Sequence, residues 1–252
     1  MKAYTQDFYS TRHERTMYSA NAILSILLER IPAIDSAIDV GCGVGTWLSV
    51  LKEKGIKDIK GIDGNWVDQG LLVIPKNSFQ QVNLNKRLRL SKRYDLAISL
   101  EVAEHLPRDC AQEFVLSLTE MSDFVLFSAA IPFQGGINHI NEQWQHHWVE
   151  LFATYDYVVH DFIRANIWND SKIPFWYRQN VLFFSTKGKK SHISSDVNVL
   201  GARSLPLDIV HPELFLSKSI QTDSVRSSLR ALQRSLKGYI RRSLRRYDPK
   251  AT

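Results

Sequence analysis

Ala37-Ile-Asp-Val-Gly-Cys-Gly-Val-Gly-Thr-Trp47 is the stretch whose reading decides the fold. Ala37 to Val40 is a short apolar run of the kind that forms a buried strand, and it leads directly into glycines at 41, 43 and 45. Those glycines let the backbone turn tightly from strand to helix and approach a nucleotide-like ligand with no Cβ in the way. The dinucleotide fingerprint has a similar form but sets its third glycine or alanine one residue later, where this chain has Thr46. That fingerprint also gives no reason for Asp39, an acidic residue inside the strand two positions before the first glycine.

Outward from this turn, helix and strand alternate. Upstream, Met17 to Arg30 sets Ala20, Ile23, Leu24, Leu27 and Leu28 at helical spacing, and Pro32 follows as a stop. Downstream, Thr46 to Lys54 reads as a helix closed by Gly55, Asp58 to Asp63 as a second strand, Ser78 to Val82 as a third and Tyr94 to Leu100 as a fourth. Asp109 to Met121 has helical period, and Phe124 to Ala130 is a near-continuous apolar strand, the pattern of burial on both faces. Glu142 to Thr154 reads as helix, Tyr155 to Ile163 and Asn180 to Ser185 as strands. Strands separated by helices imply a parallel sheet with right-handed crossovers, an α/β doubly wound fold.

The 252 residues are 44% hydrophobic and 23% charged, proportions of an ordinary globular chain. No stretch approaches about 19 uninterrupted apolar residues, and the first fifteen residues contain no apolar signal core. Cys42 and Cys110 are too few for a disulfide framework. Together these predict a cytoplasmic protein. The net charge of +6 is uneven: from Lys187 onward there are 14 Lys and Arg against 5 Asp and Glu, or +9, leaving −3 for residues 1 to 186. A globally basic surface for nucleic acid is therefore not expected. The expected organisation is a catalytic domain over 1–186, a polar linker over 187–221 and a basic amphipathic helix over 222–247. That last helix carries Val225, Leu229, Leu232, Leu236, Ile240 and Leu244 on one stripe. Arginines crowd its flanks, a pattern that suits a helix packed on its own domain or a second subunit, one at an anionic membrane surface, peripheral on the inner face, or one on nucleic acid.

S-adenosylmethionine carries an ammonium and a sulfonium where a dinucleotide has a pyrophosphate, which gives Asp39 a purpose. Asp63, ending the second strand about twenty residues after the glycines, stands where a carboxylate binds ribose hydroxyls. On these residues the chain resembles the class I S-adenosylmethionine-dependent methyltransferases, specifically their small-molecule branch, over residues 17 to 186. IDVGCGVG is similar to the first motif of that family, which implies Gly41 and Gly43 against the methionine portion and Asp39 anchoring the amino group. GIDGNW is similar to the second, implying Asp63 on the ribose and Trp66 over the adenine; Asn83 in QVNL would receive the adenine amine. YDLAISLEVAEHLP is similar to the fourth, implying Leu100 and Glu101 along the methionine side and Glu104 and His105 at the floor of the reaction cavity. The resemblance also implies a Rossmann-like, mostly parallel seven-stranded sheet with an antiparallel last strand.

For the acceptor, the segment after the fifth strand is the informative one. It holds His139, Asn141, Glu142, Gln143, Trp144, His146, His147 and Trp148 behind a flexible Gly135-Gly136, a concentration of amides and rings that fits a hydroxyl-rich small molecule such as a sugar or glycan unit. A hydroxyl acceptor needs its proton removed, and His139 is the first candidate base, with Glu104 or His105 the second. The alternative for this segment is a helix start, with Asn141 as cap and Trp144 and Trp148 packing on the sheet. No metal is expected, since the spacing of His139, Glu142, His146 and His147 matches no metal motif. The Asn/Asp-Pro-Pro-Tyr/Phe run of amino-methylating DNA enzymes is missing after the fourth strand, and neither cysteine follows a proline as in RNA cytosine enzymes. The competing function is a non-catalytic methyltransferase-like binding protein that acts through its basic tail.

Overall fold

The computed structural model of the protein describes residues 6–192 and 206–219, together with Leu229, Leu232 and Gln233. The chain divides into two compact units, Met1–Ile209 and Val210–Thr252. In the first, α1 (Gln6–Leu28) leads to β1 (Ser36–Val40), α2 (Thr46–Glu53), β2 (Asp58–Asp63), β3 (Phe79–Gln81) and β4 (Leu96–Leu100). Then come α3 (Ala111–Met121), β5 (Phe124–Ser128), α4 (Gln145–Ala153), β6 (Tyr157–His160), α5 (Ile163–Ile167), α6 (Phe175–Asn180) and β7 (Leu182–Thr186). The second unit contributes α7 (Pro212–Ser219).

The seven strands form one sheet in the order β3-β2-β1-β4-β5-β7-β6. β1 pairs in parallel with β2 and β4, β2 with β3, and β4 with β5, whereas β7 runs antiparallel to both β5 and β6. Alternation along β5 shows why its sequence is continuously apolar. Phe124 and Leu126 face a core layer with Leu24 and Leu27 of α1, Leu48 and Leu51 of α2 and Ile163 of α5. Val125 and Phe127 face the opposite layer, with Phe114 and Leu118 of α3 and Trp148 and Phe152 of α4. Covered on both sides, the sheet leaves its strand ends as the surface available for chemistry. The order reverses between β1 and β4, and the crevice at such a switch point, beyond the carboxyl ends of the strands, is where ligands bind in open α/β sheets.

The differences from the sequence expectation lie after β5. α4 begins at Gln145 with Trp144 at its cap position, so Asn141 is not the cap; Asn141 is buried and reaches the Ala103 carbonyl instead. Trp148 does pack on the sheet, 5.2 Å from Phe127 between ring centroids. α5 and α6 were not expected, because six residues or fewer give no periodic signal. Their position is fixed by tertiary contacts: fully buried Arg164 pairs with Asp161 and donates to the carbonyls of Gln179 and Leu207. Of the expected linker, Lys187–His192 forms a 3₁₀ turn and Pro212–Ser219 a helix. The expected helix over 222–247 lies outside the described residues except at Leu229, Leu232 and Gln233.

Candidate active site

The glycine turn is built as its sequence requires. Gly41, Gly43 and Gly45 have φ of 86°, 53° and 89°, in the left-handed region that favours glycine. A Cβ on Gly41 would lie 2.3 Å from Val102 Cγ2, whereas one on Gly43 would meet nothing within 4 Å, so Gly43 faces open space. Asp63 closes the turn from the neighbouring strand: Gly43 N–H donates to its Oδ2 at 2.7 Å and Gly64 N–H to its Oδ1 at 2.6 Å. Burial raises the Asp63 carboxyl above its ordinary pKa, opposed by these two bonds and by one from the Trp66 side chain. Trp66 lies against Gly64, where a Cβ would sit 2.2 Å from the indole, and is otherwise 67% exposed. Asn83 is exposed and its Oδ1 accepts from Asn85 N–H at 3.0 Å.

Asp39 behaves differently from Asp63. It is buried, its Oδ2 has no hydrogen-bond partner, and burial, reinforced by the charge of Asp63, pushes its pKa well above the carboxylate range. A buried, unsatisfied carboxyl oxygen is costly, and it marks a place where a donor is missing.

Across the switch point, β4 ends at Leu100, which is buried, and delivers Glu101 with φ 56°. A non-glycine residue in that region is strained and persists only where its surroundings over-determine it. They do so here. Glu101 N–H donates to the Ser128 carbonyl at 3.0 Å, and its carboxylate accepts from Gln134 Nε2 at 3.0 Å and Asn180 Nδ2 at 3.1 Å. Gln179 Nε2 donates in turn to Gln134 Oε1 at 3.1 Å and Asn180 Oδ1 at 2.9 Å, completing a buried amide cage. Gln134, Gln179 and Asn180 were not singled out in the sequence; α6 brings two of them back to the site from 79 residues beyond Glu101, and no local pattern announces it.

Beyond Glu101, Glu104 and His105 form a single 3₁₀ turn. Glu104 is completely buried and neither carboxylate oxygen has a hydrogen-bond partner; burial, with Glu101 and Glu142 adding to it, holds its pKa well above the usual range. Its backbone carbonyl accepts from Ile140 and Asn141 N–H groups at 2.9 and 3.0 Å, which pins the segment after β5 onto the 3₁₀ turn that follows β4. His139 Nδ1 lies 3.0 Å from Glu142 Oε1, and its ring meets His105 edge-on with centroids 4.8 Å apart. Glu142 is itself fixed by Phe133 N–H at 2.8 Å and Gly135 N–H at 2.6 Å. Gly136 is packed against His139: a Cβ on it would lie 2.1 Å from the ring Nε2. Of the other groups expected here, His146 turns away to Asp208, 2.5 Å from Nδ1 to Oδ2. Trp148 is in the core, so the segment brings His139 and Glu142 to the site but not its whole polar inventory.

Residues 11–119, from α1 to α3, match the family described as a methyltransferase domain. Among solved structures, the magnesium protoporphyrin IX methyltransferase of Synechocystis PCC 6803 with bound SAH is 15% identical with a TM-score of 0.52, covering 74% of this chain and 90% of that one. The methyltransferase domain of bacterial CtHen1-C is 22% identical with a TM-score of 0.48, covering 68% and 97%. Streptomyces venezuelae DesVI is 20% identical with a TM-score of 0.42, covering 51% and 57%. At such identities the likeness is one of fold. No curated protein matches the chain. Residues 11–119 thus carry the methyltransferase-domain match, and the seven-stranded sheet has the fold of S-adenosylmethionine-dependent methyltransferases. No helix among the described residues is long and apolar enough to cross a membrane.

Proposed function

We propose that the protein methylates a hydroxyl of a small acceptor such as a sugar or glycan unit. S-adenosylmethionine supplies the electrophilic methyl on its sulfonium. Asp39, Gly41 and Gly43 hold its methionine portion together with Leu100 and Glu101; the orphaned Asp39 oxygen and the open space at Gly43 support that assignment. Asp63 takes the ribose, Trp66 covers the adenine and Asn83 receives its amine, Asp63 and Asn83 exchanging backbone donors for the ligand.

The observation that carries the hydroxyl reading is the His139–Glu142 pair beside buried Glu104. Glu142, fixed by two backbone N–H groups, accepts from His139 Nδ1–H and so leaves the Nε2 lone pair to receive the acceptor's proton. The enzyme's remaining task is to align acceptor and methyl and keep water out. Phe133, 84% exposed beside Glu142, supplies a ring face of the kind that stacks on a sugar. The test is turnover with methyl-labelled S-adenosylmethionine on a panel of sugars and glycan units. Label in an O-methyl ether supports the reading; label on nitrogen or carbon contradicts it. Binding of S-adenosylmethionine with no turnover on any acceptor would favour the non-catalytic binding protein. The basic stripe of 222–247 supports contact with an anionic membrane surface, tested by salt-sensitive co-sedimentation with anionic against neutral vesicles.

A further inference from the structure

Glu104 poses a problem that methyl transfer does not resolve. A carboxyl group with no solvent exposure and no partner on either oxygen is among the more costly arrangements a protein can hold. Two imidazoles stand next to it. One ligand-capable atom from each of Glu104, His105 and His139 lies within 4.8 Å of the others, and no other such group occurs among the described residues.

We propose that these three residues bind a divalent transition-metal cation. Three atoms no more than 4.8 Å apart share a centre about 2.8 Å or less from each. Contraction by roughly half an ångström or a little more therefore reaches the ~2.0–2.2 Å of imidazole and carboxylate bonds to zinc-like cations. Two imidazoles and one carboxylate are a donor set for Zn²⁺, Fe²⁺ or Co²⁺ rather than for Mg²⁺ or Ca²⁺, which prefer oxygen throughout. Glu142 completes the pattern. Metal-bound histidines donate their second ring N–H to a carboxylate or carbonyl, and His139 does so through Nδ1 to a Glu142 that backbone N–H groups already hold. Glu101 lies outside the cluster, its two oxygens accepting from Asn180 and Gln134.

Three protein ligands leave coordination positions open, the arrangement of catalytic rather than structural sites. The inference rests on the hydroxyl reading for its purpose: an acceptor hydroxyl on the cation gives its proton to solvent more readily, so the cation takes over the task otherwise left to His139 Nε2. It does not rest on that reading for its test.

The test is a titration of the full-length protein with Co²⁺, followed by visible absorption, beside a calorimetric titration with S-adenosylmethionine. One Co²⁺ per chain is expected, with a spectrum free of the thiolate charge-transfer band that Cys42 or Cys110 would give. Glu104→Gln and His139→Asn should each weaken Co²⁺ by about 10-fold or more, and Glu142→Gln by about 10- to 100-fold through loss of the outer partner. His146→Asn, outside the cluster and paired with Asp208, should bind as the parent does. No saturable binding by the parent overturns the proposal, as does parental affinity in Glu104→Gln and His139→Asn. S-adenosylmethionine binding by each variant shows that it is folded. A protein that binds S-adenosylmethionine but not Co²⁺ has lost only the cation site; one that binds Co²⁺ but not S-adenosylmethionine contradicts the functional reading instead.

Discussion

The turn after β1 and the segment after β5 both sit at strand carboxyl ends, yet they are held by different means. Around the turn, a single side chain, Asp63, ties two backbone N–H groups together, and the geometry follows from glycines adjacent in sequence. After β5, the backbone hangs on the Glu104 carbonyl while side chains from the loop after β5 and from α6 interlock at Glu101. The first arrangement is local and leaves open space at Gly43; the second is built from long-range contacts and carries the unsatisfied Glu104. On the proposed function, the methyl donor would meet the local turn, and selectivity for the acceptor would lie where the long-range contacts are.

That contrast can be broken most severely at His139. His139→Ala should lower turnover by ~100- to 10000-fold while S-adenosylmethionine affinity stays as it is, because the change falls wholly on the acceptor side. Equal losses in both measurements would show that the two regions are not separable. On the other side, Asp63→Ala removes a buried acceptor of two backbone donors, and S-adenosylmethionine binding measured by calorimetry should weaken by roughly 10- to 100-fold.

Gly41 and Gly43 sharpen the comparison within the turn itself. Gly41→Ala drives a Cβ into Val102 at a positive φ and should cost about 1–3 kcal/mol in chemical denaturation. Gly43→Ala meets only the backbone strain and should cost about 1–2 kcal/mol. A larger loss at Gly43 than at Gly41 would reverse their assigned roles.

The smallest effect concerns pH. Asp39 has a folded pKa above its unfolded one, so over the window between them the folded state holds more protons and stability falls as pH rises. Asp39→Asn removes that contribution. The stability difference between about pH 5 and about pH 8, measured without ligand, should therefore be smaller in the variant than in the parent. An unchanged difference would mean that the burial of Asp39 is relieved by water.

The two regions also differ in how far the sequence reveals them. The glycine turn, Asp39, Asp63 and the first five strands are legible because their signals are local: an apolar run, glycines at fixed offsets, a carboxylate at a strand end. Glu104, His105 and His139 are nameable from sequence, but their convergence is not, because 33 residues, with α3 and β5 among them, lie between His105 and His139. Gln134, Gln179 and Asn180 leave no trace at all, since an amide in a loop or a one-turn helix looks like any solvated residue until the fold encloses it. Asn141 shows the reverse error, a polar group in a promising segment that the core claims, whereas Trp148 packs on the sheet as the helix-start alternative expects.

The most direct test of the account is a calorimetric titration of the full-length protein and of Gly43→Val with S-adenosylmethionine. Gly43 faces open space, so valine should leave the protein folded, at a cost of backbone strain, while filling the volume assigned to the methionine portion. One molecule bound per parent chain, with binding lost in a folded variant, is the predicted result; no binding by the parent, or undiminished binding by the folded variant, contradicts it.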